Sequence, residues 1–241
     1  YLEFLLSRIV DAVKQAWRDR KPGGIASAFG HARIGHCRRA VYADGTAEMY
    51  GDTRRDDFVG MEAGEDSGVE LLFTFDDQHH PTGAIVNVAC PSQVMESTYE
   101  ISSDYMGATR ELLKGEFGAH FHTLCQIGAA GCQSPRDLVR GARCEPDFWH
   151  ADGVAVLAQR LRRAVMDAFR EIPASTITAE PVFLHRCQRV ELPRRRAACR
   201  DVLKARAELA RLVAIQPERE AFAAFCRETR ANEAIPGRPG P

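Results

Sequence analysis

Val69-Glu-Leu-Leu-Phe-Thr-Phe75 combines apolar, aromatic and β-branched residues, a composition typical of a strand. A second apolar run, Ala84-Ile-Val-Asn-Val-Ala89, follows after a polar turn at residues 76–83. Strands of this apolar character are usually covered on at least one face. The two runs therefore predict a buried β-hairpin, and the rest of the fold is expected to assemble around it.

Further helices and strands are predicted on both sides of this hairpin. Apolar residues that recur every three or four positions indicate amphipathic helices, and short apolar runs next to turn residues indicate strands. We predict helices at 2–19, 104–117 and 152–171, strands at 25–34 and 120–126, and a second hairpin at 41–50 that turns at Asp44-Gly45. The acidic, glycine-rich residues 51–68 are predicted to form a long surface loop.

The pattern changes after residue 140. Residues 180–192 are predicted to be extended, and residues 197–215 and 218–232 carry helical patterns separated by Pro217. Strands and helices alternate early in the chain, whereas helices dominate late. This order favours an α/β fold with a mixed sheet core, flanking helices and a helical C-terminal segment.

The chain is expected to form one continuous domain in two stretches. Residues 1–140 would form the core, and residues 141–241 would continue it and end in a disordered Pro/Gly tail at 235–241. Because Tyr1 already lies inside a helical pattern, we expect the core to be truncated at its N-terminus.

Charge and hydropathy exclude several classes of partner. The 32 Lys and Arg residues balance 33 Asp and Glu residues, whereas proteins that bind nucleic acid or membrane surfaces through charge usually carry a basic excess. No apolar run reaches the roughly 18 residues needed to span a bilayer. We therefore expect neither a nucleic-acid partner nor a transmembrane segment.

The eight cysteines are scattered and form no CxxC pair, so their spacing does not indicate a structural zinc site. Free thiols that pack as small apolar residues in a reducing compartment explain this usage, which favours a cytoplasmic location. The chain also lacks GxGxxG, GxxxxGK[ST], HExxH and GxSxG. These absences argue against common dinucleotide enzymes, P-loop enzymes, zincins and α/β-hydrolases.

One segment has a pattern typical of a ligand site, the predicted strand and loop at residues 124–137. Its glycines and alanines allow a ligand to approach backbone N–H groups, and Pro135 restricts the direction of the Ser134 hydroxyl. Loops at strand ends often carry binding sites in such folds. From these residues alone, a tight structural turn with a solvent-exposed serine remains an alternative.

Three blocks of the chain resemble the neutral/alkaline non-lysosomal ceramidases, in that family's order. They are the strand Ala84-Ile-Val-Asn-Val-Ala-Cys-Pro91, the helix entry Ile101-Ser-Ser-Asp-Tyr-Met-Gly107, and the loop Gly128-Ala-Ala-Gly-Cys-Gln-Ser-Pro135. Gly35-His-Cys-Arg-Arg39 resembles a further family segment that contains Asn-Arg. The resemblance extends over residues 1–140 and is looser beyond them.

This resemblance implies a hydrolase that cleaves the linear amide (N-acyl) bond of a small, lipid-like substrate. Ser134 would be the nucleophile, a zinc-bound water would serve as its base, and Arg38 would contact the substrate together with Ala130 and Gly131. A surface or salt-bridged role for Arg38 remains equally open.

The chain departs from the family at its metal site. A family histidine that binds zinc falls on Pro91, which cannot be a ligand, and Cys90 beside it is a weak candidate that would otherwise be a packing residue. Cys132 replaces the usual Asn or Asp of the nucleophile loop. Zinc is thus implied by the family, while few ligands for it are found in this chain.

Two further interpretations follow from this departure. The chain would be a non-catalytic remnant or binding module that keeps the fold without zinc. Alternatively, it would be a metal-free serine hydrolase whose base is His31, His36 or His122.

Overall fold

The computed structural model describes residues 1–96, 98–141, 150–193 and 196–215. The helix predicted at 218–232 and the tail at 235–241 lie outside the described residues. The chain divides into two compact units, Tyr1–Phe183 and Leu184–Pro241. The division expected near residue 140 stays a prediction.

The described residues of the first unit form both helices and strands. Its helices are α1 (Leu2–Asp19), α2 (Asp104–Phe117) and α3 (His150–Arg170), and a short 3-10 turn lies at Ala174–Thr176. Its strands are β1 (Gly23–His31), β2 (His36–Cys37), β3 (Arg39–Tyr42), β4 (Ala47–Met49), β5 (Phe58–Met61), β6 (Gly68–Asp76), β7 (Pro81–Val88), β8 (His122–Ile127) and β9 (Gln133–Ser134).

The hairpin predicted from the two apolar runs is confirmed as β6 and β7, which pair antiparallel. They form the centre of a four-stranded sheet in the order β1-β6-β7-β8. The β1–β6 pair is antiparallel and the β7–β8 pair is parallel, so the sheet is mixed. The predicted α/β class with a mixed sheet is therefore confirmed.

Alternation along β6 explains why one face of the sheet is covered. Every second residue from Val69 to Phe75 is buried, whereas Glu70 between them is exposed. Helices α2 and α3 pack against each other and against the sheet, and they contribute Leu113 and Leu161 to the same core cluster. The ring of Phe169 from α3 contacts the ring of Phe73, with 5.2 Å between centroids.

The predicted loop at 51–68 is wrong in one respect, because it contains β5. This strand pairs antiparallel with β3, whose other edge pairs with β4, so the predicted hairpin at 41–50 gains a third strand. Pairing with a strand earlier in the chain stabilises β5, and the polar composition around it gave no sign of this partner.

Helix α1 confirms the helix predicted at residues 2–19, and all of its residues are exposed. In the part of the chain that the structure describes, no helix has the length and apolar content required to cross a bilayer. In the second unit, α4 (Cys199–Ile215) is the described helix, and the described residues before it, 184–193 and 196–198, contain no helix or strand. This agrees with the helical C-terminal segment expected from the sequence.

Candidate functional site

The short ladder between β2 and β9 brings the predicted serine loop to the Gly35–Arg39 segment. Ser134 lies directly opposite His36, and Gln133 lies opposite Cys37. A further hydrogen bond, in which the Arg38 backbone N–H donates to the Cys132 carbonyl over 2.9 Å, extends the pairing by one step. Side chains of directly opposed residues project from the same face of a ladder, so His36 and Ser134 share a face.

Ser134 is fully buried, with 0% of its surface exposed. The alternative of a tight turn with a solvent-exposed serine is therefore wrong. Two donors reach its Oγ atom: the hydroxyl of Tyr50 at 3.4 Å and the backbone N–H of Arg136 at 3.2 Å. The hydroxyl is therefore held in one position by groups from two separate segments.

Arg38 approaches Ser134 through Tyr50. Its Nη1 donates to the hydroxyl oxygen of Tyr50 over 3.1 Å, and its Nη2 donates to the Gly131 carbonyl over 2.9 Å. The guanidinium also lies 5.4 Å from the centroid of the Tyr50 ring, within the range of a cation–π contact. The structure thus brings Arg38, Gly131 and Ser134 together, and the substrate contacts predicted for Arg38, Ala130 and Gly131 stay predictions.

Tyr50 was not identified from the sequence. It follows β4, adopts a positive φ of 54° and donates its backbone N–H to the Arg38 carbonyl over 2.7 Å. A bulky residue at positive φ is strained and persists where its surroundings over-determine it. No local pattern marks the position, since its partners lie in segments far away along the chain.

A group of charged side chains surrounds His36 on the same side of the site. The imidazole Nδ1 lies 3.2 Å from Glu65 Oε2 and 3.7 Å from Asp137 Oδ2, and Arg33 donates to the same Glu65 oxygen over 2.8 Å. Burial lowers the pKa of His36 below its ordinary value. The nearby Asp137 opposes this effect most strongly. Glu65 was not predicted as a site residue because it belongs to the segment interpreted as a surface loop, and Asp137 ends the 124–137 segment but was not singled out within it.

This cluster borders a cavity of about 440 Å³. His36 and Asp137 line it, whereas Ser134 is not among its lining residues. Met61, Leu138 and Val139 contribute apolar surface beside the charged groups. A cavity with mixed walls next to convergent polar groups is typical of small-molecule sites.

The other histidines considered as bases lie elsewhere. His31, at the end of β1, is exposed and packs edge-on against Phe29, with 4.9 Å between the ring centroids. His122, at the start of β8, is exposed as well. Among the three, His36 is the cross-strand partner of Ser134.

The surroundings of Cys90 do not fit a zinc ion. The thiol is fully buried and donates to the Ile34 carbonyl over 3.7 Å, and burial raises its pKa to about 12. A zinc ligand must be the thiolate. Among residues 1–96, 98–141, 150–193 and 196–215, no three His, Cys, Asp or Glu side chains are grouped to hold a metal. No step of the chemistry below is therefore assigned to zinc.

No protein-family profile matches the chain, and no curated protein matches it. Solved structures do match. The neutral ceramidase from Pseudomonas aeruginosa is similar over 68% of this chain and 25% of its own length, with a TM-score of 0.51 and 20% identity. The chain has a ceramidase-like fold.

A second structure, of a ceramidase complexed with C2, agrees with this result. It is similar over 66% of this chain and 24% of its own length, with a TM-score of 0.50 and 19% identity. The chain thus spans about a quarter of the length of the two structures. The resemblance noted from three sequence blocks is confirmed at the level of the ceramidase-like fold.

Proposed function

We propose that this chain is a ceramidase-like hydrolase that cleaves a linear amide (N-acyl) bond, with Ser134 as the nucleophile. The observation that carries the proposal is the direct pairing of Ser134 with His36 across the β2–β9 ladder. The Nδ1 atom of His36 is at the same time within reach of Glu65. In the proposed mechanism Ser134 is the nucleophile, His36 is the base and Glu65 orients the base.

His36 is suited to act as the base. A proton on Nδ1 is held by the Glu65 carboxylate, so Nε2 is left as the basic nitrogen of the neutral ring. Burial lowers the pKa of His36, which keeps the ring neutral and able to accept a proton near pH 7. Arg33 bridges the cluster and fixes Glu65.

The proposed reaction has two steps, acylation of Ser134 and hydrolysis of the acyl ester. Ser134 Oγ attacks the amide carbonyl carbon, the C–N bond breaks, and the serine proton passes through His36 to the leaving amine. Water then attacks the resulting serine ester, which releases the carboxylic acid and returns a proton to Ser134. The overall reaction consumes one water and requires no oxidant or reductant.

A lipid-like substrate is supported by the ceramidase neighbours and by the mixed walls of the cavity. The acyl chain would lie against Met61, Leu138 and Val139. Arg38 would contact the substrate, and the Ala130–Gly131 backbone would border it, as the resemblance implies. Since Ser134 has no exposed surface, the groups around it must rearrange when an amide enters.

The complete burial of Ser134 favours a second candidate function, a binding module that keeps the ceramidase-like fold without turnover. The two candidates differ in whether the serine can react. Only the enzyme requires a carbonyl or an equivalent electrophile to reach Oγ.

Labelling of the purified chain with an alkyl fluorophosphonate separates the two. If the chain is the enzyme, the reagent should label Ser134, and Ser134→Ala should abolish labelling. In His36→Gln the labelling rate should fall at least about a hundredfold, the usual contribution of a positioned base. His122→Gln, which removes an exposed histidine, serves as the matched control and should label like wild type. Absence of labelling at Ser134 in the folded wild-type chain contradicts the hydrolase and supports the binding module.

A further inference from the structure

The hydroxyl of Tyr50 contacts Ser134 Oγ. Neither a sequence motif nor the family resemblance indicates a role for Tyr50. We propose that Tyr50 is a further catalytic residue, which donates a hydrogen bond to Ser134 Oγ while that oxygen carries negative charge. The inference rests on the proposed role of Ser134 as nucleophile.

The direction of the hydrogen bonds supports this role. Arg38 has no acceptor and can only donate, so its Nη1 occupies a lone pair of the Tyr50 oxygen. The Tyr50 proton is then directed to Ser134 Oγ. A donor that itself accepts from a cation is polarised and donates more strongly. Arg38 thus acts on Ser134 through Tyr50.

Ser134 Oγ accepts from two donors, Tyr50 and the Arg136 backbone N–H. A serine hydroxyl has two lone pairs and one proton, so this arrangement leaves the proton for transfer to a base. When the proton leaves, both hydrogen bonds become charge-assisted and shorten. The 3.4 Å separation is longer than an ordinary O–H···O hydrogen bond, so the proposed role requires this contact to shorten when Oγ becomes negative.

The same donor is needed twice in the cycle. Ser134 Oγ becomes negative when it is deprotonated for attack, and again when it leaves from the acyl ester during hydrolysis. A donor fixed at Oγ therefore favours the deprotonation of Ser134 in the first step and the departure of its oxygen in the second. It acts electrostatically and without a net transfer of its own proton.

The position of Tyr50 fits this function better than a role in packing. The residue is 37% exposed, yet its hydroxyl reaches a fully buried oxygen, and its backbone holds a strained positive φ of 54°. Strain of this kind persists where the surrounding structure over-determines it, and it clusters at functional sites.

The test is the rate of fluorophosphonate labelling of the full chain, resolved into the binding constant of the reagent and the maximal rate of inactivation. Tyr50→Phe is expected to lower the maximal rate roughly tenfold to a hundredfold, with an unchanged binding constant, because one donor to a charged oxygen is lost. Tyr1→Phe, in a tyrosine that is 96% exposed, is the matched control and should label like wild type. Labelling is measured well below the melting temperature of each variant, and circular dichroism spectra that match wild type exclude a folding defect.

The outcomes of this experiment test the role of Tyr50 separately from the proposed hydrolase function. If Ser134→Ala abolishes labelling while Tyr50→Phe labels at the wild-type rate, the role of Tyr50 is refuted and the hydrolase stands. If Tyr50→Phe weakens binding of the reagent and leaves the maximal rate unchanged, Tyr50 only shapes the site, and the inference is again refuted. If wild type is not labelled at Ser134, the hydrolase itself fails.

Discussion

The Nδ1 atom of His36 lies 3.2 Å from Oε2 of Glu65 in a cluster that also contains Asp137, Arg33 and Arg160. The two carboxylates favour the protonated ring, whereas burial and the two arginines oppose it. Burial is the largest effect, so the pKa of His36 is lowered in the folded chain. The lowered pKa of His36 makes the stability of the chain depend on pH.

Wild-type protein is expected to lose stability below about pH 6.5, the ordinary pKa of histidine. With the pKa lowered in the folded state, the unfolded chain binds the proton first, and the free energy of unfolding falls as pH falls through this range. Urea denaturation at a series of pH values from 7.5 down to about 5 measures the slope. In His36→Gln the slope should be smaller, while His79→Gln, on an exposed turn, should keep the wild-type slope. An equal slope in His36→Gln and wild type would contradict the assignment.

Cys90 is expected to resist alkylation in the folded chain. Its thiol has no exposed surface, and burial raises its pKa to about 12, so almost no thiolate is present at pH 8. Cys187 and Cys199 are exposed and should react with iodoacetamide under the same conditions. Mass spectrometry of peptides after alkylation, with and without denaturant, measures each site. Rapid modification of Cys90 without denaturant would show that the β7 end is open, as a metal ligand would need.

The sheet was predictable from the sequence because its strands are long enough to display a period. Nine residues of β6 alternate between buried and less buried positions, and apolar residues fall on the buried face. Strands β2 and β9 contain two residues each, which is too short for any period. Their pairing places His36 opposite Ser134, so this part of the site could be located only once the chain was folded.

Glu65 and Tyr50 could not be predicted as site residues for a related reason. Glu65 lies in an acidic, glycine-rich segment whose composition is typical of a surface loop. Tyr50 follows a hairpin strand and reaches Ser134 from far away along the chain. Contacts of this kind depend on tertiary packing, which local propensity does not encode.

Tyr105→Phe is expected to lower the free energy of unfolding by about 1–3 kcal/mol, the cost of leaving a buried polar group without its partner. The Tyr105 hydroxyl donates to the Cys90 carbonyl over 2.6 Å, and both residues are fully buried. Tyr1→Phe, which removes a hydroxyl from a ring that is 96% exposed, should change stability by less than about 0.5 kcal/mol. Urea denaturation measures both variants. Equal stability of Tyr105→Phe and wild type would mean that this hydrogen bond does not anchor α2 to the end of β7.

Gly30 tests how closely α3 packs on the sheet. A Cβ atom at this position of β1 would lie 2.9 Å from the Ala164 carbonyl oxygen and 3.5 Å from the Ala168 Cβ, both in α3. The first distance is shorter than van der Waals contact, and the obstacle is helix backbone that cannot rotate away. Gly30→Ala should therefore destabilise the chain by about 1–3 kcal/mol through overpacking.

Gly60→Ala provides the matched control for this prediction. Gly60 is also a strand glycine, in β5, and a Cβ there would meet nothing within 4 Å. The two variants add the same methyl group and the same restriction of the unfolded chain, so their difference isolates the contact with α3. Thermal unfolding should show a clear loss for Gly30→Ala and almost none for Gly60→Ala. Equal melting temperatures would mean that α3 lies farther from β1 than the structure places it.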